Sequence, residues 1–385
     1  MPQAARILSL FRALAQDRRD LELAAFDDQT LSWALDVGIG PLLLRTADIT
    51  RQNAAPSTHR MALLSADLTA RVLCGMLLDA TAEILDSASE NAHAITLLKG
   101  ISICEDLYPE PHLRTMGDID LLVEPGMQRS IECLLYKLGY RQRSENPPEF
   151  YVNHHHSMPF YHLERPIYIE VHTSLFPVQM TVARDKVFLP EYVRRQRVSF
   201  LFRGHSARRL RPELQLAYIC SHMAERLTWS REPLAFIDLI LLLRKYGTIL
   251  DWKNILSFLE GTVAASHTYV MLSYLSNHGL ATIPLDVLEV LKTTQKCVNG
   301  IALSQLHRII DRYLLRRPLF TSVATTQTVG ITWDTLLSPR HPLLNLLHVP
   351  WNILFVPNHP ERFSATFQIR RLRSVLRRVL RAASE

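Results

Sequence analysis

In the stretch LRTMGDIDLLVEP, residues 113–125, Asp118 and Asp120 flank a single isoleucine. The apolar run 121–123 that follows reads as a buried strand. Side chains alternate along a strand, so both aspartates point to one face, roughly 6–7 Å apart, while Ile119 and Leu121 take the other. Two carboxylates placed in this way repel one another unless water or a cation compensates them. They are either a solvated strand end or a cation site, and the cation that such oxygens suit is Mg²⁺.

A second strand-like run, YIEVHTSL, carries Glu170 and His172 on the face opposite Ile169 and Val171. If the two runs are sheet neighbours, Glu170 joins the aspartates as a third ligand or as a base. A third element is LLKGIS. Glycine at a strand-to-helix turn lets backbone N–H groups approach a phosphate, and the helix N-terminus that follows favours an anion. Gly100 is that glycine, Lys99 adjoins it and Ser102 lies in the first helical turn. The GxxxxGK[ST] loop of P-loop proteins is absent.

Other polar groups have weaker spacing. Consecutive histidines in a strand alternate faces, so of His154, His155 and His156 at most the first and last could share an ion. The expected role of His156 is structural or substrate-lining. His172 either orients a substrate or packs as a hydrogen-bonded core histidine. His222 and Arg226 are one helical turn apart, and with Asp238 they are candidates to line a cleft opposite the carboxylates. No Ser-His-Asp or Cys-His arrangement stands out. The cysteines, at 74, 104, 133, 220 and 297, form no CxxC pair and sit mostly in apolar contexts, which suggests free thiols in a reducing compartment.

The elements that would position these groups fall into four segments. Residues 1–90 carry helical periodicity, with a break at Gly38 and Gly40 and a restart at Pro41, a favoured first helical position. Residues 91–205 alternate: strand AITLLKG, helix from ISICEDLY, strand GDIDLLVEP, helix GMQRSIECLLYKLGY closed by Gly139, then strands FYVNHHHSMPFYHLE and PIYIEVHTSL. Residues 206–335 return to helices, Asp251 being the expected N-cap of one of them. Residues 336–385 hold an irregular Pro- and His-bearing stretch and a basic amphipathic tail helix. In that tail Ile369, Leu372, Leu376 and Val379 share a face among six arginines. Such a helix can meet nucleic acid or anionic lipid, but packing on its own domain is the preferred expectation. The fold class expected is α+β.

The chain of 385 residues is 48% apolar and 21% charged, an ordinary globular balance. A net charge of +6 is below that of a dedicated nucleic-acid binder and compatible with phosphate-bearing ligands. The N-terminus lacks an uninterrupted apolar run, and longer runs such as LAFIDLILLL are broken by Asp238 and short for a bilayer. A soluble, cytoplasmic protein is expected.

Taken together, Lys99-Gly100, Arg114-x-x-x-Asp118-Ile119-Asp120-Leu121-Leu122-Val123 and Glu170-Val171-His172 resemble the bacterial nucleotidyltransferase-family proteins of the polymerase-β superfamily. The likeness is to a largely uncharacterised branch with a DIDLLV signature, and it covers roughly residues 30 to 280 and, more weakly, to about 360. It implies a polymerase-β-like sheet, with 91–205 as the catalytic core, flanked by N-terminal helices and a C-terminal helical domain. It also implies that Asp118, Asp120 and Glu170 hold two Mg²⁺ (or Mn²⁺) ions. Gly100, Lys99, Ser102 and Arg114 would then receive the phosphates of an NTP, ATP being the first expectation. The NMP would pass to a hydroxyl acceptor, preferentially a small molecule; the alternatives are a tRNA or protein acceptor, as in toxin–antitoxin enzymes, or nucleotide binding without turnover. The turn differs from the superfamily's usual Gly-Gly or Gly-Ser, since Ile101 follows Gly100 and Ser102 comes one place later. The third carboxylate is glutamate where aspartate is common.

Overall fold

The computed structural model describes residues 3–311, apart from 24–25, 48–56, 89–93, 125, 153, 228–231, 296 and 299, together with 315, 333, 336 and 337. The irregular stretch and basic tail expected beyond residue 337 lie outside the described residues. Helices α1 (Gln3–Ala15), α2 (Asp28–Asp36), α3 (Gly40–Thr46) and α4 (Ser57–Ala88) precede the first strand. Then come β1 (Ile95–Leu98), α5 (Lys99–Leu107), β2 (Ile119–Val123), α6 (Gln128–Lys137), β3 (Tyr140–Gln142), β4 (Phe160–His162), β5 (Tyr168–His172), α7 (Pro190–Arg195), β6 (Arg197–Phe202) and β7 (His205–Leu210). Helices α8 (Pro212–Arg226), α9 (Glu232–Tyr246), α10 (Trp252–Leu259), α11 (Val263–Asn277), α12 (Leu285–Thr294) and α13 (Gly300–Ile309) follow.

The strands form one mixed sheet of order β3-β4-β5-β2-β1-β7-β6. β2 is antiparallel to β1 and parallel to β5. Period-two alternation sorts its residues between two cores. Ile95 and Leu97 of β1, Ile119, Leu121 and Val123 of β2, and Ile169 and Val171 of β5 pack with Leu77, Ile84, Ile131 and Leu135 of α4 and α6. The alternate positions face the other way. There Leu98 and Leu122 join a larger core with Tyr218, Phe236 and Tyr274 of α8, α9 and α11 and with Phe11 and Trp33 of α1 and α2. Burying each large aliphatic side chain contributes about 1.5–3 kcal/mol. Asp120, Glu170 and His172 occupy alternate positions and so meet the C-terminal helices.

The caps follow the sequence. Asp251 accepts from the Asn254 N–H at 2.9 Å at the start of α10, and Pro41 stands in the first turn of α3. Other expectations change. The sheet continues through the β6–β7 hairpin to Leu210. The expected strand through FYVNHHHSMPFYHLE is a short 3₁₀ turn at Pro148–Tyr151, a bend at 154–155 and a strand only at Phe160–His162. Helix α4, over Thr58–Ala88, is long and apolar enough to cross a membrane by length and composition alone. Its apolar residues are spaced by turns of the helix instead of forming an uninterrupted run. Its Leu77 and Ile84 are buried in the core while Met61, Leu64, Leu68 and Val72 are exposed.

Candidate active site

In the parallel ladder Asp120 pairs with Glu170, and in the antiparallel ladder it pairs with Leu98, the residue before Lys99. Register partners put their side chains on the same face, so the two carboxylates lie side by side. Like charges so placed destabilise a sheet, and both are in a desolvated setting. Lys99 and His172 compensate. Lys99 Nζ donates to Asp120 Oδ1 at 2.7 Å and lies 3.9 Å from Glu170 Oε2. His172 Nε2 donates to the same Asp120 oxygen at 2.8 Å and lies 3.3 Å from Glu170.

Burial alone would raise the Asp120 pKa, but the Lys99 ammonium and His172 hold it well below the usual carboxylate range. Burial likewise opposes ionisation of Glu170, but the His172 hydrogen bond and the charge of Lys99 together outweigh it, so its pKa is lowered. His172 and Lys99 shift the other way. Burial would lower both, but Asp120 raises them above their ordinary values. Asp118, just before β2, differs from its neighbours. Burial and then the Asp120 charge push its pKa up to about 6.

Lys99 has φ +48°, in the left-handed region that side chains other than glycine's rarely adopt. The sharp turn from β1 into α5 forces this, at a cost on the order of 1–3 kcal/mol. The strain aims the ammonium back over the sheet. Gly100, next in line, has no room for a side chain. A Cβ there would stand 2.7 Å from Met116 Cγ and 2.9 Å from its sulfur.

Two cavities meet at this point. One, of about 160 Å³, is lined by Lys99, Gly100, Arg114, Asp118, Asp120 and residues of α8 and α9. The other, of about 420 Å³, is lined by Glu170, His154, His155, His156, Phe150 and Tyr151 among others. Lys99, Tyr218, His222 and Arg226 border both. Tyr218, His222 and Arg226 recur every four residues along α8, so one helix face supplies the shared wall. That spacing was available in the sequence, where only His222 and Arg226 were singled out.

The remaining candidates are placed as follows. Arg114 and Asp238 line the smaller cavity, but they are bound to each other. Arg114 Nε and Nη2 donate to the two Asp238 oxygens at 2.7 and 2.9 Å, and the Tyr108 hydroxyl donates to Asp238 at 2.5 Å. Tyr108 carried no signal beyond its apolar context. Ser102 is buried, and its hydroxyl donates to the Lys99 carbonyl at 2.9 Å. The histidine run overturns the alternation expected of it. Because the chain bends at 154–155, the ring centroids of His154, His155 and His156 all lie within 4.7 Å of one another.

Asp120, Glu170 and His172 each offer a ligand atom within 4.8 Å of the others, a buried group that could hold a metal ion. A family model described as "Uncharacterised nucleotidyltransferase" matches residues 26–277, well over half of the chain. The chain belongs to this nucleotidyltransferase family. Membership supports nucleotidyl transfer as its activity and a nucleoside triphosphate as a substrate. The matched span runs from the start of α2 to the end of α11 and so takes in the whole sheet. Compared with the curated proteins and with the solved structures, the chain shows no match.

Proposed function

We propose that this nucleotidyltransferase moves an NMP from an NTP, ATP first among the candidates, to a hydroxyl of a small-molecule acceptor with help from Mg²⁺ or Mn²⁺. The observation that carries the proposal is the pairing of Asp120 with Glu170 on adjacent strands at the meeting point of two cavities. Two substrates need two compartments that share the reacting centre.

The donor set fits a divalent ion. Asp118, Asp120 and Glu170 supply carboxylate oxygens, the ligands that Mg²⁺ and Mn²⁺ prefer. Held by these carboxylates, such an ion would supply neutralisation of the charge on the triphosphate and on the attacking oxygen. The chain's own groups do the rest. Gly100 lines the smaller cavity in the first turn of α5, where a helix N-terminus favours phosphate oxygens. Lys99 holds a positive charge next to Asp120, within reach of both cavities. Glu170, whose pKa His172 and Lys99 lower, lines the larger cavity and is placed to take the acceptor's proton. Tyr218, His222 and Arg226 wall the junction. Positioning and electrostatics dominate phosphoryl transfer, and these residues supply both.

The test is to incubate the full chain with Mg²⁺, each α-labelled NTP and a cell extract, beside Asp118→Asn and Asp120→Asn. The proposal expects pyrophosphate and a labelled small molecule, both lost in the two variants. Label on tRNA or protein would replace the acceptor class. NTP binding without pyrophosphate release, or release unchanged in both variants, would refute transfer.

A further inference from the structure

We propose that His154, His155 and His156 form a second metal site, all imidazole, for a transition-metal cation of the Zn²⁺ class. Each ring offers a nitrogen within 4.8 Å of the other two. The backbone holds this arrangement against the end of β5. Ser157 N donates to Val171 O at 2.9 Å, and Thr173 N donates to His155 O at 2.8 Å. His156 and His172 form an antiparallel bridge.

The nitrogens suit a metal. His156 Nδ1 donates to the Ser157 carbonyl at 2.7 Å. That bond fixes the tautomer and leaves the Nε2 lone pair available, the arrangement typical of a metal-binding histidine. Nδ1 of His154 and Nδ1 of His155 are shut off from solvent, with no hydrogen-bond partner among the described residues. Buried polar atoms are rarely left unsatisfied, and an ion is one of the few groups that can satisfy such nitrogens. Imidazole ligands select Zn²⁺ and its neighbours, whereas Mg²⁺ demands oxygen, so the two kinds of ion would sort between this site and the carboxylates. Three protein ligands leave one position of a tetrahedral ion open. The three rings line the larger cavity, so that position is available to a carboxylate or hydroxyl of the molecule bound there.

Co²⁺, as a coloured stand-in for Zn²⁺, tests the site without relying on transfer activity. The full chain, in excess Mg²⁺, is titrated with Co²⁺ and followed by visible absorption. The proposal expects a tetrahedral, nitrogen-ligated band that competing Zn²⁺ abolishes. His154→Gln with His155→Gln should weaken binding by more than the roughly 10–100-fold that losing an outer-shell partner costs. Asp118→Asn should leave it unchanged. Absence of the band in the unmodified chain overturns the proposal, whether or not the histidine variant folds. So does binding that disappears in Asp118→Asn and survives in the histidine variant. Because the readout is metal binding, failure here would leave the proposed transfer reaction standing.

Discussion

Asp120 of β2 and Glu170 of β5 are register partners in a parallel ladder, and one lysine, at the strained turn after β1, stands within 2.7 Å of the first and 3.9 Å of the second. A single cation thus serves two carboxylates that would otherwise repel. Lys99→Met should therefore lower activity through charge rather than shape. By analogy with the loss of one preorganised electrostatic group, a fall of about 10²–10³ in kcat is expected. Lys99→Arg, measured beside it, should recover part of the rate. Equal loss in both would show that position, not charge, matters at residue 99.

Asp118 should oppose folding when it ionises. Its folded pKa, about 6, lies above the ordinary aspartate value. The stability it contributes is therefore fully present below that ordinary value and is lost as pH rises through 6. Asp118→Asn cannot ionise. At pH 7.5, without metal, it should be more stable than the parent by about 1–3 kcal/mol, an advantage that vanishes near pH 4. Urea melts at the two pH values decide this. The same substitution should abolish transfer.

The buried Arg114–Asp238 pair should be worth more to the fold than its distance from the carboxylates suggests. Removing one partner strands the other charge, which costs about 3–5 kcal/mol. Arg114→Met and Asp238→Leu should each lower the melting temperature, and the double variant should fall by less than the sum. Additive losses in that double-mutant cycle would show that the pair is not coupled.

Gly100→Ala forces Met116 to move, because the new methyl group would sit inside its van der Waals envelope. Overpacking of this kind costs about 1–3 kcal/mol. Met116→Ala added to Gly100→Ala should restore part of the stability and of the NTP affinity. Thermal melts and nucleotide titration of the pair provide the check.

The residues at the centre of the site were legible because a strand has only two faces. Once Ile119 and Leu121 are assigned to the core, Asp118 and Asp120 must share the opposite side, and the same argument places Glu170 and His172. What stayed hidden was pairing at long range. Nothing local says that Arg114 meets Asp238, 124 residues away, or that Lys99 turns back onto Asp120. The β6–β7 hairpin was missed because β7, HSARRL, has too little apolar alternation to announce itself, although it pairs with both β1 and β6. The histidine run was misjudged for the opposite reason: alternation was assumed where the backbone bends.

One loop is fastened to two distant parts of the chain. Thr115 donates its hydroxyl to the carbonyl of Gly38 at 2.9 Å, while Arg114, beside it, grips Asp238 on α9. Proteins emerge from the ribosome N-terminus first and tend to fold in that order. The loop leading into Asp118 can meet the N-terminal helices early, but its second anchor does not exist until α9 has been made. The site is thus completed only once α8 and α9 have been made, so a nascent chain that already displays Asp118, Asp120 and Glu170 still lacks the clamp and the α8 wall that finish its cavities.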